Sequence, residues 1–199
     1  MVVGGGAHSF RERLRAATAR AHERLDDRIS SFDLGEPDAY RAFLIMHSAV
    51  LPPLEAGIAR ACADAPELDL AARSRTSALT ADLETMGARP AAPLPVAEPA
   101  SLAEALGALY VLEGSRLGAQ ILIRRVRASG DARVRAATAF LEHGSPDLWR
   151  SFLDAASSYV VDEDALCAAS DGALSAFGAF HLACSQYFPL PVKDERARV

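Results

Sequence analysis

Apolar residues in this chain recur three and four positions apart rather than two, so the pattern predicts helices throughout and requires no strands. In the first segment Phe10, Leu14, Ala17, Ala21 and Leu25 form one stripe. Ser9 and Glu12 precede it at the spacing of a capping box, so a helix is expected from Ser9 to about Ser30. A second helix opens after Glu36-Pro37, carries Tyr40, Phe43, Leu44 and His47, and is kinked or restarted at Pro52-Pro53 before ending near Ala63. Residues 69–86 read as a further helix. The stretch 88–100, with Pro90, Pro93, Pro95 and Pro99, reads as an extended crossover.

Ser101 and Glu104 form a second capping box, opening a long helix expected to reach Ser129. Residues 131–141 suggest one more helix. Ser145-Pro146 starts another that carries Trp149 and Phe152, and residues 162–188 predict a long final helix. The expected organisation is a single all-α domain over 9–188, with loose ends at 1–8 and 189–199.

Composition narrows the function classes. The net charge of -5 argues against a nucleic-acid surface, which normally carries a basic excess. Cys62, Cys167 and Cys184 are odd in number and widely spaced, which suggests neither a disulfide framework nor a zinc site and fits a reducing compartment. No signal peptide or membrane-spanning run is read at the start or elsewhere, so the expectation is a cytoplasmic protein without a membrane role.

Two segments carry candidate chemistry. On the first helix Arg15, Thr18, His22 and Asp26 share one face, with Arg15 about 10 Å along the axis from His22. A neutral imidazole is a good ligand for heme iron, a carboxylate one turn later can accept from its other nitrogen, and an arginine further along can pair with a propionate. A surface histidine with an i, i+4 aspartate partner is the plain alternative. In the long helix, Tyr110 to Gln120 reads YVLEGSRLGAQ. Gly114 and Gly118 lie about 40° apart around the axis, with Ser115 and Ala119 extending a strip of small residues where a backbone can touch a planar ligand. Close helix packing or a kink would equally explain the glycines.

Taken together, these segments resemble the bacterial heme oxygenases, especially the type found beside bacteriophytochromes: TARAHE at 18–23 is similar to the family's proximal helix, and YVLEGSRLG at 110–118 to its distal helix. The resemblance covers about 14–188. It implies a multi-helical heme oxygenase-like fold, heme as both cofactor and substrate, and oxidative cleavage to biliverdin, carbon monoxide and ferrous iron with an external electron donor such as a ferredoxin or reductase. It also implies a bacteriophytochrome as a receiver of the biliverdin. By the same resemblance His22 is the iron ligand, and Asp26, Arg15 and Tyr110 are cofactor-binding. Gly114, Ser115 and Gly118 form the catalytic distal face. Ser115 stands where the animal-type pattern has an aspartate, which leaves proton delivery unassigned. Ala119 replaces a glycine common in the family, adding one methyl group to the expected distal pocket.

The rivals are a non-heme di-iron oxidase, which needs inward carboxylates and typically an ExxH pair that does not occur here, and a catalytically silent helical module binding heme, a bilin or a protein partner. His47, His143 and His181 are other candidate ligands, each read first as a boundary residue, and His8 is read as part of a mobile end. Trp149 and Phe152 are read as core. The cluster Arg124, Arg125 and Arg127 is either a docking face for an acidic electron donor or a solvated helix end.

Overall fold

The computed structural model of the chain describes residues 6–188, and among these every regular element is helical. In chain order they are α1 (Gly6–Ser30), α2 (Pro37–Ala61), a 3-10 turn (Pro66–Leu68), α3 (Leu70–Arg73), α4 (Thr76–Thr85), α5 (Leu102–Arg127), α6 (Ala132–Ala136), α7 (Ala139–Glu142), α8 (Pro146–Tyr159) and α9 (Glu163–Tyr187). The tail at 189–199 and the start at 1–5 lie outside the described residues.

Several helix starts follow directly from capping chemistry. Ser101 Oγ accepts from the Glu104 amide at 3.2 Å, while the Glu104 carboxylate accepts from the Ala100 amide at 2.8 Å. Asp162 and Ser145 cap α9 and α8 by accepting from the amides of Ala165 at 2.8 Å and Asp147 at 3.1 Å. The first helix departs from expectation: it extends back to Gly6, which leaves the Ser9–Glu12 pair inside the helix instead of at its start. Its buried stripe is Phe10, Leu14, Thr18 and Ala21, whereas Ala17 is exposed. Thr18 is tolerated in the core because its hydroxyl donates to the Leu14 carbonyl at 2.7 Å.

Two expected helices are each divided. Residues 69–86 form α3 and α4, broken where Ser74 turns extended, and residues 131–141 form α6 and α7, broken at Ala137. Tertiary hydrogen bonds support both breaks. Glu55, on α2, accepts from the Arg75 amide at 2.7 Å and from the Ser74 and Thr76 hydroxyls. Buried Asp82, on α4, accepts from the Ala139 and Phe140 amides at 3.0 and 2.8 Å.

By contrast, α2 runs through Pro52 and Pro53 as one helix. Proline at 53 removes the amide that would bond the Ala49 carbonyl, and the Leu94 amide from the proline-rich crossover bonds it instead at 2.8 Å. The Ala91 amide likewise reaches Ser48 Oγ at 2.9 Å, so the crossover is stitched along α2 at its weakest turn. By length and composition α2 is the one described helix able to cross a bilayer, but 56% of its apolar window is buried inside the protein, as in a core helix.

The centre of the bundle is the crossing of α5 and α9. A Cβ at Gly172 would sit 2.0 Å from the Glu104 carbonyl oxygen, and one at Gly107 would sit 1.8 Å from that of Ala169. Ala105, Ala108, Ala169 and Ala173 complete a contact in which only small residues allow the two backbones to approach this closely. Helix α9 also packs against α1 and α2, so it is the common support for both candidate segments.

The crossing yields a paired prediction. Gly172→Ala is expected to lower the unfolding midpoint, since overpacking costs about 1–3 kcal/mol. Gly178→Ala, on the same helix with nothing within 4 Å of its Cβ position, is expected to raise stability by up to ~1 kcal/mol through helix propensity. Denaturant titration of the two variants checks the contrast, and equal effects would show that the backbones do not meet as described.

Candidate functional site

Helix α1 turns His22 and Asp26 outward, at 61% and 60% side-chain exposure, with His22 Nδ1 2.9 Å from Asp26 Oδ2. When Nδ1–H donates to this carboxylate, the remaining lone pair is on Nε2. Partial burial pushes the Asp26 carboxyl up from its ordinary range; the nearby His22 opposes the shift and Asp27 adds to it. Behind the ring, Phe177 of α9 meets His22 edge-on at 5.9 Å. His181, one turn later on α9, has Nε2 2.9 Å from the Ala21 carbonyl, so this histidine ties α9 to the backbone immediately before His22. Thr18, expected on the same face as His22, is instead buried.

At its other end α1 reaches α5 directly. Phe10 meets Tyr110 edge-on at 6.2 Å, and Tyr110 packs on Trp149 of α8 at 5.5 Å. Burial raises the Tyr110 phenol, and the guanidinium groups of Arg11 and Arg15 lie near enough to pull it back partway. The structure therefore brings Arg15, exposed, and Tyr110, half-buried, to the same corner.

Along α5 the two faces differ sharply. Leu109, Leu112, Arg116, Ala119 and Ile123 are buried. Gly114, Leu117, Gly118 and Ile121 lie on the opposite side, where Leu117 is 49% and Ile121 62% exposed. Beyond the helix's own backbone and chain neighbours, no atom of the described residues comes within 4 Å of a Cβ position at Gly118, and Trp149 alone among them does so at Gly114. This strip is open and apolar. One member expected on it is elsewhere: Ala119 is buried on the packed face, so its methyl group does not crowd the strip, while Ser115 stays at the edge of the strip with its hydroxyl engaged by Arg75.

Arg75 is not singled out by the sequence, and His47, an alternative ligand read as a boundary residue, packs among aromatic rings. Arg75 is buried and donates from Nη2 to Ser115 Oγ at 2.7 Å and to the Leu112 carbonyl at 3.1 Å, with its guanidinium 5.0 Å from the Phe140 ring centroid. Its Nε has no partner among the described residues. Burial, helped by neighbouring Arg116, lowers its pKa to about 10, which leaves it charged at neutral pH. The Ser115 hydroxyl in turn donates to the Leu112 carbonyl at 2.8 Å. His47 lies against Phe43, Phe140 and Phe180 with Nδ1 2.8 Å from the Phe43 carbonyl. Burial lowers its pKa to about 4, so its imidazole is neutral. Arg75 shows no helix-face signature, because it meets its partners across elements distant in sequence, whereas His47 bonds Phe43 one turn earlier on α2 and meets Phe140 and Phe180 from other helices.

A cavity of about 400 Å³ lies apart from His22 and the glycine strip, between α2, α3 and α5, and is lined among others by Pro52, Ala56, Leu70 and Leu109. Among the described residues no group of three or more His, Cys, Asp or Glu side chains is arranged to hold a metal ion, so the di-iron alternative lacks its ligand set. A porphyrin brings its own four nitrogens and asks the protein for an axial donor and an apolar face. The exposed imidazole and the open strip fit that demand.

The comparisons agree. The heme oxygenase family model matches residues 8–185. The chain is 30% identical over 181 residues to the heme oxygenase PigA of Pseudomonas aeruginosa, covering 85% of this chain and 88% of that protein. Its fold matches the crystal structure of the NO- and CO-bound heme oxygenase from Neisseria meningitidis with a TM-score of 0.72 and 24% identity, over 92% of this chain and 94% of that one. The all-helical fold and the family expected from the two segments are thus borne out: this chain belongs to the heme oxygenase family of heme-degrading enzymes.

Proposed function

We propose that this chain, as a single domain over 9–188, binds heme through His22 and cleaves it to biliverdin, carbon monoxide and ferrous iron, using O₂ and electrons from an external donor. The reading is carried by the His22–Asp26 pair, in which one ring nitrogen is engaged at 2.9 Å and the other is left for a ligand bond on an exposed face. When bound, heme supplies both the iron that activates oxygen and the ring that is oxidised.

The chain's own groups then have separate tasks. Asp26 selects the His22 tautomer and orients the ring. Arg15 offers a cation for a propionate, and Tyr110, at the same corner, offers a phenol. Gly114 and Gly118 present backbone without side chains, so α5 can lie close to a planar ligand while Leu117 and Ile121 exclude water from its edge. Ser115 completes this distal face, but its hydroxyl already donates to Leu112 and accepts from Arg75, so it is a poor proton donor as it stands.

The donor, a ferredoxin or reductase, is proposed to dock near Arg124 and Arg125; Arg127 already pairs with Glu142. Biliverdin release to a bacteriophytochrome and a cytoplasmic location complete the proposal.

Purified protein titrated with hemin and then given reductant in air is expected to form biliverdin; stable heme without turnover would instead indicate a silent carrier. His22→Ala is expected to abolish the imidazole-ligated spectrum of the reconstituted protein, and an unchanged Soret band would reject His22 as the ligand. Gly118→Leu is expected to retain heme capture while slowing biliverdin formation about tenfold or more, equivalent to ~1.4 kcal/mol of lost transition-state stabilisation. Turnover at the unmodified rate would remove Gly118 from the distal face.

A further inference from the structure

The open side of α5 cannot determine where its glycine strip sits. Gly118 touches nothing there, Gly114 meets only the edge of Trp149, and glycine weakens the helix locally. The rotation and depth of this turn must be set from behind.

Behind it lies a buried charge network. Glu113, the residue before Gly114, is fully buried and accepts from Arg73 Nη1 at 2.9 Å and from Arg116 Nε at 3.0 Å. Arg73 also donates to the Leu148 carbonyl at 2.7 Å, to Ser151 Oγ at 2.8 Å and to the Leu68 carbonyl. Arg116 also donates to the His143 carbonyl at 2.9 Å and to the Arg73 carbonyl. Through Arg73 this carboxylate joins α5 to the end of α3 and to α8, while Arg116, on α5 itself, bonds the same carboxylate and ties the helix to the loop before α8 and back to Arg73. An apolar cluster of equal volume holds helices together at least as well, but it is non-directional and permits rotation and sliding. Two guanidinium forks meeting one carboxylate do not, because each hydrogen bond has a direction as well as a length.

We propose that Glu113 is a positioning residue: clamped by Arg73 and Arg116, it sets the rotation of α5 at 113–118 and hence the height of the backbone strip over the bound ring, which decides the ring edge attacked. The inference rests on the heme-cleaving reading, and one of its measurements does not.

The test uses Glu113→Gln, which keeps the shape and removes the charge, with Leu79→Ala on α4 as a core truncation of comparable destabilisation. In the protein without heme, amide hydrogen exchange at 113–119 is expected to accelerate about tenfold or more in Glu113→Gln relative to the rest of the chain, whereas Leu79→Ala changes protection globally. With hemin, Glu113→Gln is expected to keep the imidazole-ligated Soret band yet change the ratio of biliverdin isomers about threefold or more, because sub-ångström displacement suffices to redirect a positioned reaction. Leu79→Ala should keep the original ratio.

Unchanged local exchange in Glu113→Gln would overturn the clamp. Faster exchange with an unaltered isomer ratio would leave Glu113 a purely structural role and overturn the positioning claim. Should Glu113→Gln fail to fold, Glu113→Asp, which keeps the charge on a shorter stem, is read by the same two measurements. If the unmodified protein makes no biliverdin, it is the proposed function that fails, and the exchange result still decides whether the clamp exists.

Discussion

The close crossing of α5 and α9 is the constraint on which the rest of the arrangement depends. With carbonyl oxygens about where Cβ atoms at Gly107 and Gly172 would be, the helices pack backbone to backbone. The contact also determines where everything else goes. Helix α1 rests on α9 through Phe177 and His181, and α5 crosses the same α9 on its own account. The His22 imidazole and the glycine strip are thus positioned by a shared support, with Phe10 and Tyr110 in contact between their helices. A change at the crossing therefore reaches both parts of the proposed site without touching either.

The second constraint is electrostatic. Arg73, Arg75 and Arg116 are all buried, and the one fully buried carboxylate among them is Glu113, with Glu55 of α2 bonding the Arg75 amide at the start of α4. Desolvating guanidinium groups is costly, and one carboxylate shared between two of them recovers part of the cost, with backbone carbonyls satisfying most remaining donors. Arg75 is the exception, since its Nε is unpartnered, and burial depresses its pKa. Such a cluster is poor evidence for stability and better understood as geometry. It connects the chain at 68–75, α5, the loop at 143 and α8, elements that periodicity alone would let slide.

This division also explains what could be read from the chain itself. Long amphipathic stretches and their caps were legible because both are local: Ser101, Ser145 and Asp162 lie where side-chain oxygens meet orphan amides. His22 and Asp26 were legible for the same reason, being one turn apart on one helix. The breaks at Ser74 and Ala137 were not, because the groups that stabilise them, Glu55 and Asp82, come from other helices. Thr18 was placed on the face of His22 and Ala17 on the core stripe because hydrophobicity ranks them so; a hydroxyl that bonds its own helix backbone lets Thr18 be buried instead. Arg75 was invisible as chemistry, and the aromatic setting of His47, a lesser ligand candidate, was not legible either, since both acquire their character from Phe140, and His47 also from Phe180, which sequence spacing does not bring to them.

Serine at position 115 is best understood in that light. An aspartate there would add a second anion beside Glu113, close to Arg75, and would draw that guanidinium into an ion pair. Serine instead takes one hydrogen bond from Arg75 and returns one to Leu112, so the cation is engaged without being neutralised. Helix α5 thereby keeps a guanidinium bonded beside its open strip, one whose Nε has no partner among the described residues. Under the proposed reading, a cation there would favour negative charge developing on a ligand at the strip. Serine in place of the aspartate of the animal pattern adds no further anion to the group formed by Arg75, Arg116, Glu113 and Glu55, and so is compatible with the proposed chemistry at this face.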